Sequence, residues 1–192
     1  MADDPIARFH RWFAQAQKAG VPLPEAMALA TADTKGRPSV RFVLLKQADE
    51  RGFAFFTNAR SRKGRELRCN PHVSAVIYWN QLGKQVRIDG PVEALSTAEV
   101  DAYWVTRPRE SQVAALVSDQ SAELTSRAWL LAEWKVLRQK YRGKEIPRPP
   151  HWTGYRIVAE TIEFWTHHEH RLHDRELFVR SKQGWKRKLL QP

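Results

Sequence analysis

Cysteine is almost absent, with Cys69 the only one in 192 residues. No intramolecular disulfide is possible, which fits a reducing compartment. The neighbours of Cys69, Leu67-Arg68 and Asn70-Pro71, supply neither a second thiol nor a paired base, so the thiol reads as structural. Long apolar runs are also lacking; none approaches the ~20 residues that a membrane-spanning helix needs. The opening Met1-Ala2-Asp3-Asp4 is too acidic for a signal or transit peptide. The expectation is a cytoplasmic, soluble protein without a membrane partner. There is no G-x-S-x-G elbow, no phosphate-binding P-loop and no G-x-G-x-x-G. Internal repeats and low-complexity segments are missing too.

Positive charge is abundant. Lys and Arg number 32 against 21 Asp and Glu, a net charge of +11. Nucleic acid, an anionic membrane surface and phosphorylated small molecules are the partners that such a charge invites. The bases are dispersed, which argues against a basic tail. Hydrophobic residues make up 42%, enough for a real core, and the length fits one domain spanning residues 1–192. One run stands out, Arg171-Leu172-His173-Asp174-Arg175. Read as a strand, it sets Arg171, His173 and Arg175 in a row on one face. It is either a solvated basic edge or a site for an anionic ligand.

Local patterns predict the elements. Ile6, Phe9, Trp12, Phe13 and Ala16 recur at helical spacing over 5–19, and Gly20 ends the run. Strands are expected over 27–31, 39–46, 53–57, 73–79 and 85–94, joined by turn chemistry such as Asp33-Thr34-Lys35-Gly36. Between them, Asn58 or Ser61 caps a short helix with Arg62 and Lys63 in its first turn. Cations there oppose the helix dipole unless a phosphate docks beside them. Ser96-Thr97-Ala98-Glu99 is a capping box, and helices are expected after it, over 111–117 and over 121–141. Strands return over 155–159, 162–165, 175–181 and 185–190, the last two around the turn Lys182-Gln183-Gly184. The expected class is α+β, mainly antiparallel, with the last strands completing the early sheet.

Several chemistries compete. His167, His168, His170 and His173 are dense enough to raise a metal, but their spacing matches neither a helical pair nor a zinc ribbon, and no metal is expected. Eight tryptophans and the basic charge raise nucleic acid, but the bases do not form a stripe interleaved with aromatics. A phosphorylated aromatic cofactor needs cations, amides for ring edges and a flat surface. Arg41, Lys46, Arg62 and Lys63 can supply the first, Gln85 and Gln120 the second, Trp165 the third.

Six stretches then point one way together. They are Arg41 to Lys46; Phe56-Thr57-Asn58 with Ser61-Arg62-Lys63; Gln85-Val86; Arg107 to Gln112; Pro147 to Pro150; and Glu163-Phe164-Trp165 leading into Arg171 to Arg175. In this order the chain resembles the pyridoxine/pyridoxamine 5′-phosphate oxidase family of FMN flavoproteins. The resemblance implies an FMN-binding split β-barrel with peripheral helices, acting as a homodimer with FMN at the interface. It implies that Arg41, Phe56, Thr57, Arg62, Lys63, Gln120 and Ser121 hold the FMN phosphate and ribityl chain, and that Gln85, Trp165 and Arg175 contact its ring system. Lys46, Tyr103, Arg107 and Ser111 would bind the substrate phosphate, with Arg171 and His173, the catalytic pair, over the pyridine ring. The implied reaction moves a hydride from substrate C4′ to flavin N5. O₂ then reoxidises the flavin, giving pyridoxal 5′-phosphate and hydrogen peroxide. Phe56 stands where some members have tyrosine, and His167-His168 occupy a segment that often contains glycine. A related flavoprotein group of phenazine biosynthesis is similar overall but departs in the stretch matching residues 107–112.

Overall fold

The computed structural model describes residues 4–192, so the acidic opening Met1-Ala2-Asp3 lies outside the described residues. Helix α1 (Pro5–Lys18) is capped by Asp4, whose carboxylate accepts from the Ile6 and Ala7 amides. Its apolar stripe, Ile6, Phe9, Trp12 and Ala16, is buried as the spacing predicts. Phe9 meets Phe53 edge-on at 5.1 Å and Trp12 meets Phe164 at 5.0 Å. Burying each such side chain contributes roughly 1.5–3 kcal/mol.

Nine strands follow: β1 (Ala26–Ala32), β2 (Pro38–Asp49), β3 (Gly52–Asn58), β4 (His72–Trp79), β5 (Lys84–Ala94), β6 (Trp152–Ile157), β7 (Thr161–Thr166), β8 (Asp174–Ser181) and β9 (Gly184–Leu189). All pairings are antiparallel, and the order β4-β1-β2-β3-β6-β5 closes through β4–β5 into a six-stranded barrel. Strand β5 is shared: residues 92–94 pair with β6, while 84–89 pair with β7 and so carry the extension β7-β8-β9. The barrel core gathers Met27, Leu29, Phe53, Phe55, Ile77, Trp79, Val86, Ile88 and Phe164. The split β-barrel expectation is met.

Five α-helices surround the sheet among the described residues. Helix α2 (Arg62–Cys69) is capped by Ser61, which accepts from the Gly64 amide. Helix α3 (Thr97–Thr106) opens on the predicted capping box, with the reciprocal Ser96 and Glu99 bonds both present. Helix α4 (Arg109–Val117) and helix α5 (Arg127–Lys140) pack on each other. A second apolar cluster around Val100, Trp104, Val113, Ile146 and Trp152 joins α3 and α4 to β6.

Two expectations fail. The helix predicted over 121–141 begins only at Arg127: Ser126 is its cap, and Ser121 has φ +76°, a left-handed backbone that no helix continues through. Leu124 therefore lies outside it. The run 171–175 is not one strand either. Residues Glu169–Arg171 form a 3₁₀ turn, His170 and Arg171 have φ of +56° and +63°, and β8 starts only at Asp174. Repulsion within a row of cations disfavours the flat strand, and the left-handed turn turns the chain before the row can form.

Candidate active site

The end of β3 and the start of α2 build the first half of the site. A cavity of about 380 Å³ is lined by Phe42, Phe56, Thr57, Lys63, Arg107, Ser111, Gln120 and Trp152, among others. Lys63 is 7% exposed, and its Nζ donates to Thr57 Oγ1 and Gln120 Oε1, both at 2.8 Å. Burial, and then the Arg41 charge, lower its pKa to about 8. Arg107 lies over the Trp152 ring at 4.9 Å, donates to the Ser111 carbonyl at 3.2 Å and leaves its buried Nε without a partner. Burial lowers its pKa from the ordinary arginine value. Among the described residues neither cation has a carboxylate partner, so the cavity holds partly desolvated positive charge that an anion would offset.

The walls are aromatic. Phe56, Tyr103 and Trp152 form a cluster of near-parallel rings, with Phe56 4.0 Å from Tyr103 and 5.2 Å from Trp152, and the latter two 6.0 Å apart. Gly154 makes this possible, since a Cβ there would stand 2.8 Å from the Phe56 ring. At the α2 N-terminus the Arg62 amide donates to Ser121 Oγ at 3.2 Å, which ties the 118–126 loop to the cavity.

Arg41 and Arg62 converge elsewhere, on Glu66. This buried carboxylate accepts from Arg62 at 2.8 Å and Arg41 at 3.2 Å, and from Thr31 and Ser39. Burial acts to raise its pKa, but the bonds from Thr31, Ser39, Arg62 and Arg41 outweigh it and hold the group down at about 2. Sequence reasoning missed Glu66. The i,i+4 spacing from Arg62 was the available signal, but its link to Arg41 depends on barrel closure. Trp152 and Glu163 were missed as well.

The second half lies on the extension. Gln85, Trp165 and Arg175 are paired in register across β5, β7 and β8. Glu163 accepts from Arg175 Nε at 2.8 Å and also pairs with Arg87. His173 packs on Trp165, ring centroids 4.6 Å apart. Arg171 is exposed. None of Gln85, Trp165, Arg171, His173 and Arg175 lines the cavity. Lys46 does not either. It is the extra residue of a bulge between Leu45 and Gln47 and lines a shallow groove with Phe9 and Phe13. The predicted residues thus fall into two separate groups on one chain. Strand β2, which sends Phe42 to the cavity rim, leaves Val40, Phe42 and Leu44 69%, 74% and 39% exposed.

No helix among the described residues is long and apolar enough to cross a membrane. Residues 152–192, which hold β6 to β9, match the Pyridoxine 5′-phosphate oxidase C-terminal dimerisation region. The chain is 50% identical to the pyridoxine/pyridoxamine 5′-phosphate oxidase of Gluconobacter oxydans, over 95% of this chain and 91% of that protein. It is 48% identical to that of Sphingopyxis alaskensis, over 100% and 89%. Among solved structures it is similar to PhzG from Burkholderia lata 383, in complex with tetrahydrophenazine-1-carboxylic acid. The TM-score there is 0.93 at 39% identity, covering 98% of this chain and 93% of that one. A pyridoxamine 5′-phosphate oxidase-related, FMN-binding protein from Nostoc punctiforme shares the fold at 15% identity, with a TM-score of 0.80. Residues 13–141 match the family described as Pyridoxamine 5′-phosphate oxidase, and with that match and these relatives the chain belongs to the pyridoxamine 5′-phosphate oxidase family.

Proposed function

We infer that the protein is an FMN-dependent oxidase of pyridoxine 5′-phosphate or pyridoxamine 5′-phosphate that works as a homodimer. The observation that carries this reading is the pair of cations, buried Lys63 and half-buried Arg107, that share one cavity with no carboxylate partner among the described residues. Two phosphate esters, one on the cofactor and one on the substrate, answer that charge. FMN fits the residues present. Lys63, Thr57, Gln120 and Ser121 surround the α2 N-terminus with donors, and Arg41 and Arg62 stand beside it on Glu66. Gln85, Trp165 and Arg175 offer an amide, a flat face and a cation in one row for its ring system.

A second copy of the chain completes the site on this reading. The two groups of residues lie apart in one chain, and the outward apolar side chains of β2 need cover. A two-fold partner would bring its own Gln85, Trp165, His173 and Arg175 to this cavity. Bound FMN supplies a two-electron acceptor for oxidation at substrate C4′ and returns the electrons to O₂ as hydrogen peroxide. The chain's own residues orient and shield. Arg107, Ser111 and Tyr103 hold the substrate phosphate, and Arg171 and His173 press the pyridine ring toward the flavin. Guanidinium suits that place because it stacks on π faces and stays charged. Orientation of this kind is the main protein contribution to such a transfer.

The likeness to PhzG favours a second reading, oxidation of a reduced phenazine carboxylate in the same cavity. Peroxide release measured with pyridoxamine 5′-phosphate, pyridoxine 5′-phosphate and a dihydrophenazine carboxylate separates the two. Turnover of the B6 phosphates is expected, and a yellow protein that oxidises only the phenazine would overturn the first reading. Arg171→Ala should lower turnover far more than flavin content, and Arg62→Ala the reverse. Full flavin retention in Arg62→Ala would remove that residue from the phosphate site.

A further inference from the structure

The paired histidines His167 and His168 have no role in the chemistry above, yet they surround His173. The His168 amide donates to His173 Nδ1 at 3.1 Å. The His168 ring reaches back over the same loop, its Nε2 2.8 Å from Asp174 Oδ2. His167 stands 5.3 Å from the His173 ring, and Trp165 closes another side at 4.6 Å. His167 is itself seated on the turn before β5. Its amide donates to the Gly83 carbonyl at 2.8 Å, and a Cβ on Gly83 would lie only 2.9 Å from the His167 Cβ. Gly83 also has φ +57°, so backbone and space both favour glycine there.

We propose that His167 and His168 are positioning residues that hold His173 as a neutral imidazole with its proton on Nε2. The argument starts from the hydrogen bond. A nitrogen that accepts from an amide carries no proton, so in the neutral ring the proton resides on the other nitrogen. Protonating Nδ1 would set two N–H groups against each other and break the bond. The charges around the ring act in the same direction. His167 lies beside it, His168 caps the 3₁₀ turn that Arg171 ends, the Asp174 carboxylate is bound to His168, and Glu169 of the turn lies 4.0 Å from His170. Lys84, opposite Thr166, turns away to Gln15 and Trp12. Burial, then His167, Arg171 and His168, lower the pKa of His173 below the ordinary histidine value. The ring therefore stays a neutral Nε2–H donor into mildly acid solution, where a typical histidine has become a cation.

The place of His173 over the substrate rests on the proposed function, but its tautomer does not, and the two fail separately. Side-chain ¹⁵N spectra of the histidine-labelled, FMN-loaded protein read it directly, with His173→Gln to assign the signals. At pH 7 we expect an unprotonated Nδ1, a protonated Nε2 and an acid titration below that of an ordinary histidine. His167→Phe keeps a ring and removes its ionisable nitrogens. It should move the His173 titration upward, and the acid limb of kcat/KM should follow in the same direction. His167→Asn serves if the phenylalanine variant loses its fold, and the wild-type spectrum alone decides the tautomer. A proton on Nδ1 at pH 7, or a His173 titration that neither variant moves, overturns the proposal. Absence of peroxide from B6 phosphates would sink the proposed function and leave these spectra unchanged.

Discussion

Single side chains carry the charge balance of the site. Glu66 ionises at about 2 in the folded chain, far below the ordinary 4.5. Its contribution to stability is fully present above pH 4.5 and is lost as pH falls toward 2, and the span corresponds to about 3 kcal/mol. Glu66→Gln should therefore lower stability by roughly 2–3 kcal/mol at pH 7 and flatten the acid limb, read as urea midpoints from pH 6 to 2.5. An unchanged limb would place the acid sensitivity elsewhere. Lys63 behaves in the opposite sense. Its charge is disfavoured by burial and by Arg41 and welcome to a phosphate, so FMN affinity should fall as pH rises through about 8. Flavin fluorescence titrations at pH 7 and 9.5 check this, and equal affinities would remove Lys63 from the phosphate site. Arg62 and Lys63 were legible in the sequence because cations in a first helical turn need a reason. Glu66 was not, because its partners Thr31 and Ser39 lie 35 and 27 residues away.

Elements were legible where local chemistry settles them. The Ser96 capping box, the α1 stripe and the alternating strands all rest on neighbours within four residues. The misread segments are those where tertiary contact overrides pattern. The 121–126 loop looked helical, but Ser121 adopts a left-handed backbone and accepts the Arg62 amide. The basic pentapeptide looked like a strand, but its first residue, Arg171, belongs with His170 to a left-handed turn. Strand β6 places a demand on one of its own residues. A Cβ at Gly154 would stand 2.6 Å from Leu95 and 2.8 Å from Phe56, whose ring is already packed against Tyr103 and Trp152. Gly154→Ala should cost about 1–3 kcal/mol in thermal or urea unfolding and weaken FMN binding with it. A variant of native stability would mean that the stack yields more readily than its geometry implies.

At the scale of the whole molecule, the run Phe42-Val43-Leu44-Leu45 is apolar on both faces of its strand. Val43 and Leu45 fill the barrel, while Phe42 and Leu44 face outward. A strand apolar on both sides has two surfaces to bury, and that was readable before the fold was known. Which residues belong to which half of a shared site was not, because the division depends on how the barrel closes. Phe42→Glu should shift the protein toward monomer in sedimentation at micromolar concentration and release flavin in parallel. A monomer that keeps its full flavin would show that one chain suffices.

Strand β5 is at once a stave of the barrel and the root of the extension. The two share one continuous strand, Lys84–Ala94, whose residues 84–91 also pair with β4. Heating therefore has no intermediate stage in which the ring-contact row of Gln85, Trp165 and Arg175 peels away from an intact barrel. Loss of yellow colour and collapse of the barrel should trace a single curve.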